Sequence, residues 1–209
     1  MENILVAGAT GNTGKRVIHL LKQSQYFNPV AMVRKEEQLK EFQEVHIDAV
    51  LGDLEEDVSH TVKNIDKIIF AAGSGGKKVD AVDRDGAKKI IDAAKTKGIK
   101  KFVMLSSMGA NEPEKHPELQ EYMKAKQEAD NYLIKSNLVY AIVRPGTLNN
   151  ERGSGKIQLK KSLNINGEIS RDDVAQTLVR ALHDDAAINE TFEILEGDML
   201  IGKALEVIA

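Results

Sequence analysis

The stretch "ILVAGATGNTGKR", residues 4–16, decides the fold of this chain. An apolar run typical of a buried strand leads directly into glycines spaced three apart, and a helical pattern begins at residue 12. The first turn of a helix directs free backbone N–H groups, and the positive end of the helix dipole, at an anion. The stretch therefore predicts a phosphate-binding turn at the end of the first strand.

Two kinds of phosphate-binding loop can be compared with this turn. A nucleotide triphosphate loop reads G-x-x-x-x-G-K followed by Ser or Thr, but Ala9 replaces its first glycine and Arg16 its hydroxyl residue. A dinucleotide loop needs glycines for the tight turn, for access of the pyrophosphate and for close helix packing. The pattern favours a dinucleotide site, and a glycine-rich turn without a ligand is the alternative. The residues of this predicted site are Gly8, Thr10, Gly11, Asn12, Thr13 and Gly14.

Short β-branched apolar runs alternate with amphipathic segments along the rest of the chain. The predicted strands are 3–8, 30–34, 48–53, 67–73, 101–107, 139–145 and 192–197, and the predicted helices are 12–24, 36–43, 54–63, about 78–97, about 117–136 and 171–184. Apolar strands that alternate with helices are typical of a parallel sheet covered on both faces. The sequence therefore predicts an α/β protein with a doubly wound parallel sheet, a Rossmann fold, and a small C-terminal lobe on the substrate side.

The same pattern predicts one domain over residues 1–209, because no linker or internal repeat interrupts it. The most irregular segment is 148–168, which is rich in Gly, Asn, Ser and Lys. We expect a mobile substrate-side loop within 146–170, and an ordinary long loop is the alternative.

Composition excludes several classes of function. The net charge of −3 gives no basic excess for nucleic acid, and no apolar stretch approaches the roughly 20 residues that span a bilayer. The chain has no cysteine and its five histidines are scattered, so we expect neither a disulfide nor a metal site. The N-terminus lacks the basic region of a secretory signal. A cytoplasmic protein that acts on a small molecule, without nucleic acid or membrane partners, is expected; monomer and homodimer both remain open.

The end of the second predicted strand indicates which cofactor is bound. In dinucleotide sites an acidic residue at this place binds the ribose 2′-hydroxyl of NAD, whereas an arginine accommodates the 2′-phosphate of NADP. Here Arg34 stands at that place with Lys35 beside it. The sequence predicts NADP rather than NAD, and a solvated residue at the strand end is the alternative for Arg34.

Several motifs occur in the order typical of one superfamily. "GATGNTG", "SSMG", "YMKAK" and "VRPG" follow one another along the chain. Over nearly its whole length the chain resembles atypical, extended-like short-chain dehydrogenases/reductases, which include NAD(P)-dependent epimerases and NmrA-like relatives. The resemblance implies further contacts to adenine, the adenosine ribose and the nicotinamide amide. The residues implied are Asp53 and Leu54, then Ala71, Ala72 and Gly73, then Pro145, Gly146 and Thr147.

The resemblance also implies a set of catalytic residues. Tyr122 corresponds to the acid/base, Lys126 to the residue that assists it and holds the nicotinamide ribose, and Ser107, rather than Ser106, to the group that binds the substrate oxygen. Tyr122 and Lys126, four residues apart, share one helix face. A surface tyrosine beside a surface lysine is the alternative. Asp83 departs from the family because it stands where an asparagine is usual, and a solvated helix charge is its alternative.

These motifs predict an NADP-dependent oxidoreductase or epimerase that transfers hydride at a hydroxyl or carbonyl carbon of a small molecule. Two other functions remain open from the sequence. One is a non-catalytic NADPH-sensing regulatory protein, favoured by Asp83 and by the short chain after Pro145. The other is a flavin- or tetrapyrrole-type reductase, which does not need the tyrosine.

Overall fold

A sheet of nine strands forms the centre of the computed structural model, which describes residues 1–208. Its strand order is β11-β8-β10-β6-β5-β4-β1-β2-β3. The seven strands from β10 to β3 are parallel, whereas β8 and β11 pair antiparallel at one edge. The strands are β1 (Glu2–Ala7), β2 (Phe27–Val33), β3 (Asp48–Leu51), β4 (Lys67–Phe70), β5 (Lys101–Leu105), β6 (Tyr140–Pro145), β7 (Thr147–Asn149), β8 (Lys156–Lys160), β9 (Glu168–Ser170), β10 (Glu190–Glu196) and β11 (Met199–Leu200).

Helices cover both faces of this sheet. They are α1 (Asn12–Lys22), α2 (Glu36–Glu44), α3 (Ala87–Lys97), α4 (Gln120–Ile134), α5 (Arg171–Arg180) and α6 (Ile201–Val207). Strand β1 shows why two layers are needed: Ile4 and Val6 pack in the core beneath α1 and α5, while Leu5 and Ala7 pack in the core beneath α3. A strand buried on both faces carries a continuous apolar run. The expected doubly wound α/β Rossmann fold is confirmed.

The seven predicted strands all form, with their ends shifted by three residues or fewer. The strand order reverses between β4 and β1, so the connections leave a crevice at the carboxyl ends of these two strands. In open parallel sheets this crevice is where ligands bind. In α3, Ala87, Ile90, Ile91 and Ala94 share the side of the helix that covers the sheet and are fully buried.

The predicted helix over 54–63 is wrong. Only one 3₁₀ turn forms there, at Ser59–Val62, although Leu54, Val58 and Val62 are buried at helical spacing. The side chain of Asp53 accepts the N–H of Glu55 (3.0 Å) and that of Asp57 accepts the N–H of Ser59 (3.1 Å). Such local side-chain bonds offer the backbone an alternative to a helix.

Two further segments differ from expectation. The helix predicted at about 78–97 begins as a π-helix over Val79–Gly86 before α3, and π-helical turns are frequent at functional sites. The segment expected to be a long loop contains β7, β8 and β9 instead. Strand β8 extends the main sheet, while β7 and β9 pair in a small second sheet. Mobility within 146–170 stays a prediction.

No helix within residues 1–208 combines the length and the apolar character needed to cross a membrane.

Candidate active site

The glycine-rich turn brings α1 unusually close to the first strand. Gly8 has a φ of +92°, and a Cβ there would lie 2.6 Å from the backbone nitrogen of Ala72. A Cβ on Gly14 would overlap the carbonyl oxygen of Gly8. Both positions therefore exclude a side chain, as the dinucleotide interpretation requires. The N–H of Gly11 closes the turn onto the Gly8 carbonyl at 2.9 Å.

A first cavity of about 430 Å³ opens at the carboxyl ends of β1 to β4. Nine of the predicted cofactor residues line it: Gly8, Thr10, Gly11, Arg34, Asp53, Leu54, Ala71, Ala72 and Gly73. The side chain of Arg34 is exposed and forms no ion pair within residues 1–208. The cavity thus places the backbone of the glycine turn and this exposed guanidinium on one lining, and both groups can bind anions.

Four residues predicted for the phosphate turn and the end of the second strand lie outside this cavity. Asn12 is exposed at the first position of α1, while Thr13 and Gly14 are buried between α1 and the sheet. Lys35 is exposed and precedes α2, where the side chain of Gln38 accepts its backbone N–H at 3.2 Å. Of these, Gly14 acts on the turn through packing, since it lies against the Gly8 carbonyl.

A second cavity of about 620 Å³ opens beyond the ends of β5 and β6. Ser107, Tyr122, Pro145, Gly146 and Thr147 line it, so the predicted reactive and nicotinamide-side residues come together from three elements. The first cavity lies where the strand order reverses, and the second lies along the same carboxyl edge of the sheet, at the ends of the neighbouring strands β5 and β6. In open parallel sheets a dinucleotide binds in the crevice at such a reversal.

Lys126 and Asp83 are both buried and line neither cavity. The Lys126 Nζ is 3.4 Å from Asp83 Oδ1, 3.5 Å from the carbonyl oxygen of Leu105 and 5.6 Å from the centroid of the Tyr122 ring. Asp83 is 0% exposed and Lys126 4%. The alternatives of a surface lysine and of a solvated helix charge are therefore wrong. Asp83 Oδ2 accepts the N–H of Ser74 at 3.0 Å, whereas Oδ1 has no hydrogen-bond partner among the described residues.

The two serines that follow β5 have different surroundings. The Ser106 hydroxyl donates to Asp130 Oδ2 at 2.9 Å, and Arg144 pairs with the same oxygen at 2.8 Å. Burial raises the pKa of the Asp130 carboxyl, and the charge of Arg144 opposes this shift. Within residues 1–208 the Ser107 hydroxyl donates only to the carbonyl of the adjacent Met108, at 3.2 Å. Ser107 thus remains available to a substrate, while Ser106 is held in a buried polar cluster.

Sequence reasoning missed three residues that line these cavities. Ser74, with a buried hydroxyl lacking a partner within residues 1–208, lines the first cavity; the run "GSGG" that begins at Gly73 is its only signal. His116 and Glu193 line the second cavity. A Cβ on Gly109, whose φ is +85°, would overlap the His116 ring, so that glycine makes room for it. Glu193 lies within strand β10, where nothing in the local pattern marks it.

Comparison with known proteins agrees with this geometry. The NAD(P)H-binding family matches residues 8–185. The uncharacterized sugar epimerase YhfK of Bacillus subtilis (strain 168) is 42% identical over 97% of this chain and 98% of its own. A Bacillus halodurans structure, provisionally named an NAD-dependent epimerase/dehydratase, superposes with a TM-score of 0.94 at 40% identity, covering 99% of this chain and 100% of its own. The oxidoreductase ylbE of Lactococcus lactis gives a TM-score of 0.89 at 32% identity, covering 99% and 96%.

The family match covers most of the chain, the relatives align end to end, and the glycine turn has the packing that a dinucleotide requires. This chain belongs to the NAD(P)H-binding family, an oxidoreductase- and epimerase-like group of atypical short-chain dehydrogenases/reductases built on a Rossmann-type domain.

Proposed function

We propose that this protein is an NADP-dependent oxidoreductase or epimerase that acts on a small hydroxyl or carbonyl compound, with Tyr122 as its acid/base. One observation carries the proposal: Tyr122 and Ser107 line the same cavity, and the buried Lys126 ammonium lies 5.6 Å from the centre of the Tyr122 ring. The names of the relatives, a sugar epimerase, an epimerase/dehydratase and an oxidoreductase, support the class of reaction.

The first cavity is suited to NADP. The glycine turn with Thr10 would hold the pyrophosphate, Asp53 and Leu54 would contact the adenine, and Arg34 would pair with the 2′-phosphate, since all of them line this cavity. When bound, NADPH would supply the hydride. Pro145, Gly146 and Thr147 would hold the nicotinamide side, since they line the cavity that also contains Ser107 and Tyr122.

Two residues that line the second cavity and two buried residues near Tyr122 have distinct roles in the proposed reaction. The hydroxyl of Ser107 donates to the substrate oxygen and fixes its position. The Tyr122 hydroxyl exchanges a proton with the same oxygen, and the ammonium of Lys126 stabilises the phenolate form because the two charges attract at close range. Asp83 holds Lys126 in place, because its carboxylate is 3.4 Å from the ammonium. The same negative charge reduces the stabilisation that Lys126 can give to the phenolate.

The acid/base role is tested with Tyr122→Phe. NADPH consumption is measured with a panel of small aldehydes and ketones, together with the Kd of NADPH. We expect kcat to fall by about 10²–10⁴-fold, the usual contribution of a positioned acid/base, with NADPH binding unchanged. Tyr26→Phe is the matched control, because Tyr26 is exposed and lines neither cavity. Turnover that survives in Tyr122→Phe would instead favour a flavin- or tetrapyrrole-type reductase that needs no tyrosine.

The cofactor preference is tested by titrating the protein with NADPH and NADH. Loss of a charge-assisted contact to the 2′-phosphate removes about 1.5–3 kcal/mol, so Arg34→Ala should weaken NADPH binding by roughly 10–100-fold. NADH binding should change little, because NADH has no 2′-phosphate. Lys40→Ala, an exposed residue of α2 outside the cavity, is the control. Equal affinities of the wild type for NADPH and NADH would refute the preference.

Asp83 favours a second candidate, a regulatory protein that binds NADPH without turnover. Its buried carboxylate partly neutralises Lys126, which weakens the support for a phenolate. Tight NADPH binding together with no turnover of any panel member, in the wild type and in Asp83→Asn alike, is the result expected of such a sensor.

A further inference from the structure

The second cavity contains one buried acid that the proposed chemistry does not use. Glu193 lies on β10, is 5% exposed and lines the cavity together with Ser107 and Tyr122. Its Oε2 accepts the N–H of Leu163 at 2.7 Å. Its Oε1 accepts no hydrogen bond from residues 1–208, yet it is not sealed from the cavity.

No cation among the described residues neutralises this carboxylate. Its neighbours in the sheet register are Arg144 and Lys160. Arg144 is engaged with Asp130 at 2.8 Å, and Lys160 is exposed and forms no ion pair with Glu193. At the cavity rim, Lys115 is paired with Glu112 at 2.6 Å. Glu193 is thus the charge in this cavity that lacks a counter-ion.

We propose that Glu193 selects the substrate, by accepting a hydrogen bond from a hydroxyl or ammonium group and rejecting an anionic one. This inference rests on the proposed function, since it concerns the same cavity. A carboxylate can only accept hydrogen bonds, and a buried acceptor left without a donor is destabilising. A ligand carboxylate or phosphate facing Glu193 would add repulsion between like charges, which discriminates against that ligand.

The other residues that line the second cavity also fit a substrate that is not an anion. Ser162, Asn164 and Asn166 line the cavity beside Glu193, and their hydroxyl and amide groups can donate to or accept from hydroxyls of the substrate. The lining also includes apolar residues, which are Met108, Leu119, Met123, Leu148 and Ile165. The substrate class is therefore a neutral or cationic compound with an apolar part and a hydrogen-bond donor at the end that meets Glu193.

Three probes with one ring skeleton test the inference: benzyl alcohol, benzylamine and benzoate. Their binding to the protein is measured by ligand-detected NMR, with and without saturating NADP⁺. The measurement needs no turnover, and a protein that fails to bind NADP⁺ still reports on this cavity. Failure of the proposed function is read separately, from Tyr122→Phe and the NADPH titration.

Wild-type protein should bind the alcohol and the amine and exclude benzoate. In Glu193→Gln the amide oxygen still accepts the Leu163 N–H, while the amide NH₂ group faces the cavity as a donor. The substitution should therefore weaken the binding of benzylamine at least tenfold and allow benzoate to bind. Glu196→Gln, on the exposed end of the same strand, should behave as the wild type. Any one of three results would overturn the proposal. The first is that the wild type binds benzoate as tightly as it binds the other two probes. The others are that Glu193→Gln leaves the order of the three affinities unchanged, or that no probe binds.

Discussion

Gly14 illustrates at the scale of a single residue how the cofactor turn depends on packing. A side chain at this position has no space, because its Cβ would overlap the Gly8 carbonyl oxygen and approach Gly8 C and Ala9 Cα. Because these are backbone atoms, the overlap can be relieved only if α1 moves away from β1. The same movement would displace the backbone N–H groups of the turn, to which the proposed function assigns the pyrophosphate.

We therefore expect Gly14→Ala to destabilise the protein and to abolish NADPH binding. The overlap should cost about 1–3 kcal/mol, typical of overpacking, and should outweigh the gain of roughly 1 kcal/mol that alanine brings to a helix interior. Gly202→Ala is the matched control, since Gly202 lies in α6, where an added Cβ would meet no atom within 4 Å, and it should be neutral or slightly stabilised. Urea unfolding compares the two, and equal unfolding free energies would contradict the packing argument.

The catalytic candidates show what a sequence can and cannot predict at this scale. The order of the motifs was enough to single out Ser107, Tyr122, Lys126 and Asp83. That Asp83 contacts Lys126 depends on a π-helical turn that brings residues 43 positions apart in the chain to within 3.4 Å. Glu193 went unnoticed for a related reason: one acid within an apolar strand looks the same whether it faces solvent or a cavity.

At the scale of secondary-structure elements, two lysines tie β4 and β5 to the segment after α5. Lys67 pairs with Asp184 at 2.7 Å and with Glu2 at 2.8 Å, whereas Lys101 contacts only the carbonyl oxygens of His183 and Ala186. Lys101 is 1% exposed. Burial, and then the neighbouring charge of Lys67, lower the pKa of Lys101 to about 8.

This lowered pKa predicts that stability rises with pH above about 8. An unfolded lysine titrates near pH 10.4, so between these two values the unfolded chain binds more protons than the folded one, and the free energy of unfolding increases. The free energy of unfolding is measured in urea at about pH 7.5 and at about pH 10. We expect its increase between these two pH values to be smaller in Lys101→Met than in the wild type, by roughly 1–3 kcal/mol. Lys63→Met, which alters an exposed lysine, should keep the wild-type increase. Identical pH profiles for the wild type and Lys101→Met would refute the prediction.

Two secondary-structure elements show where predictions from the pattern of apolar residues fail. Residues 54–63 carry apolar side chains at helical spacing, but aspartate side chains cap the local backbone N–H groups and prevent a regular helix. Strand β8 was hidden for the opposite reason. Its short sequence "KIQLK" has only two apolar residues, and pairing with β10 supplies the order that its own composition does not indicate.

At the scale of the whole molecule, one sheet edge carries both halves of the site. The first cavity lies at the ends of β1 to β4, where the strand order reverses, and the second lies at the ends of the neighbouring strands β5 and β6. Strand β7 and the loop between β8 and β9, which contains Gly167 and polar residues, then line the second cavity. The proposed function depends on this arrangement, because it assigns the glycine motif near residue 8 and the tyrosine at residue 122 to one reaction.

The sequence by itself determined the fold class, the seven parallel strands and the glycine turn, because these depend on local patterns of apolar residues and on glycines with a fixed spacing. Only the tertiary structure decided that Asp83 is buried against Lys126, that Ser106 is occupied by Asp130 while Ser107 is not, and that Glu193 meets the second cavity. Each of these depends on contacts between residues far apart in the chain. Such contacts follow from how elements pack together, and no local pattern records them.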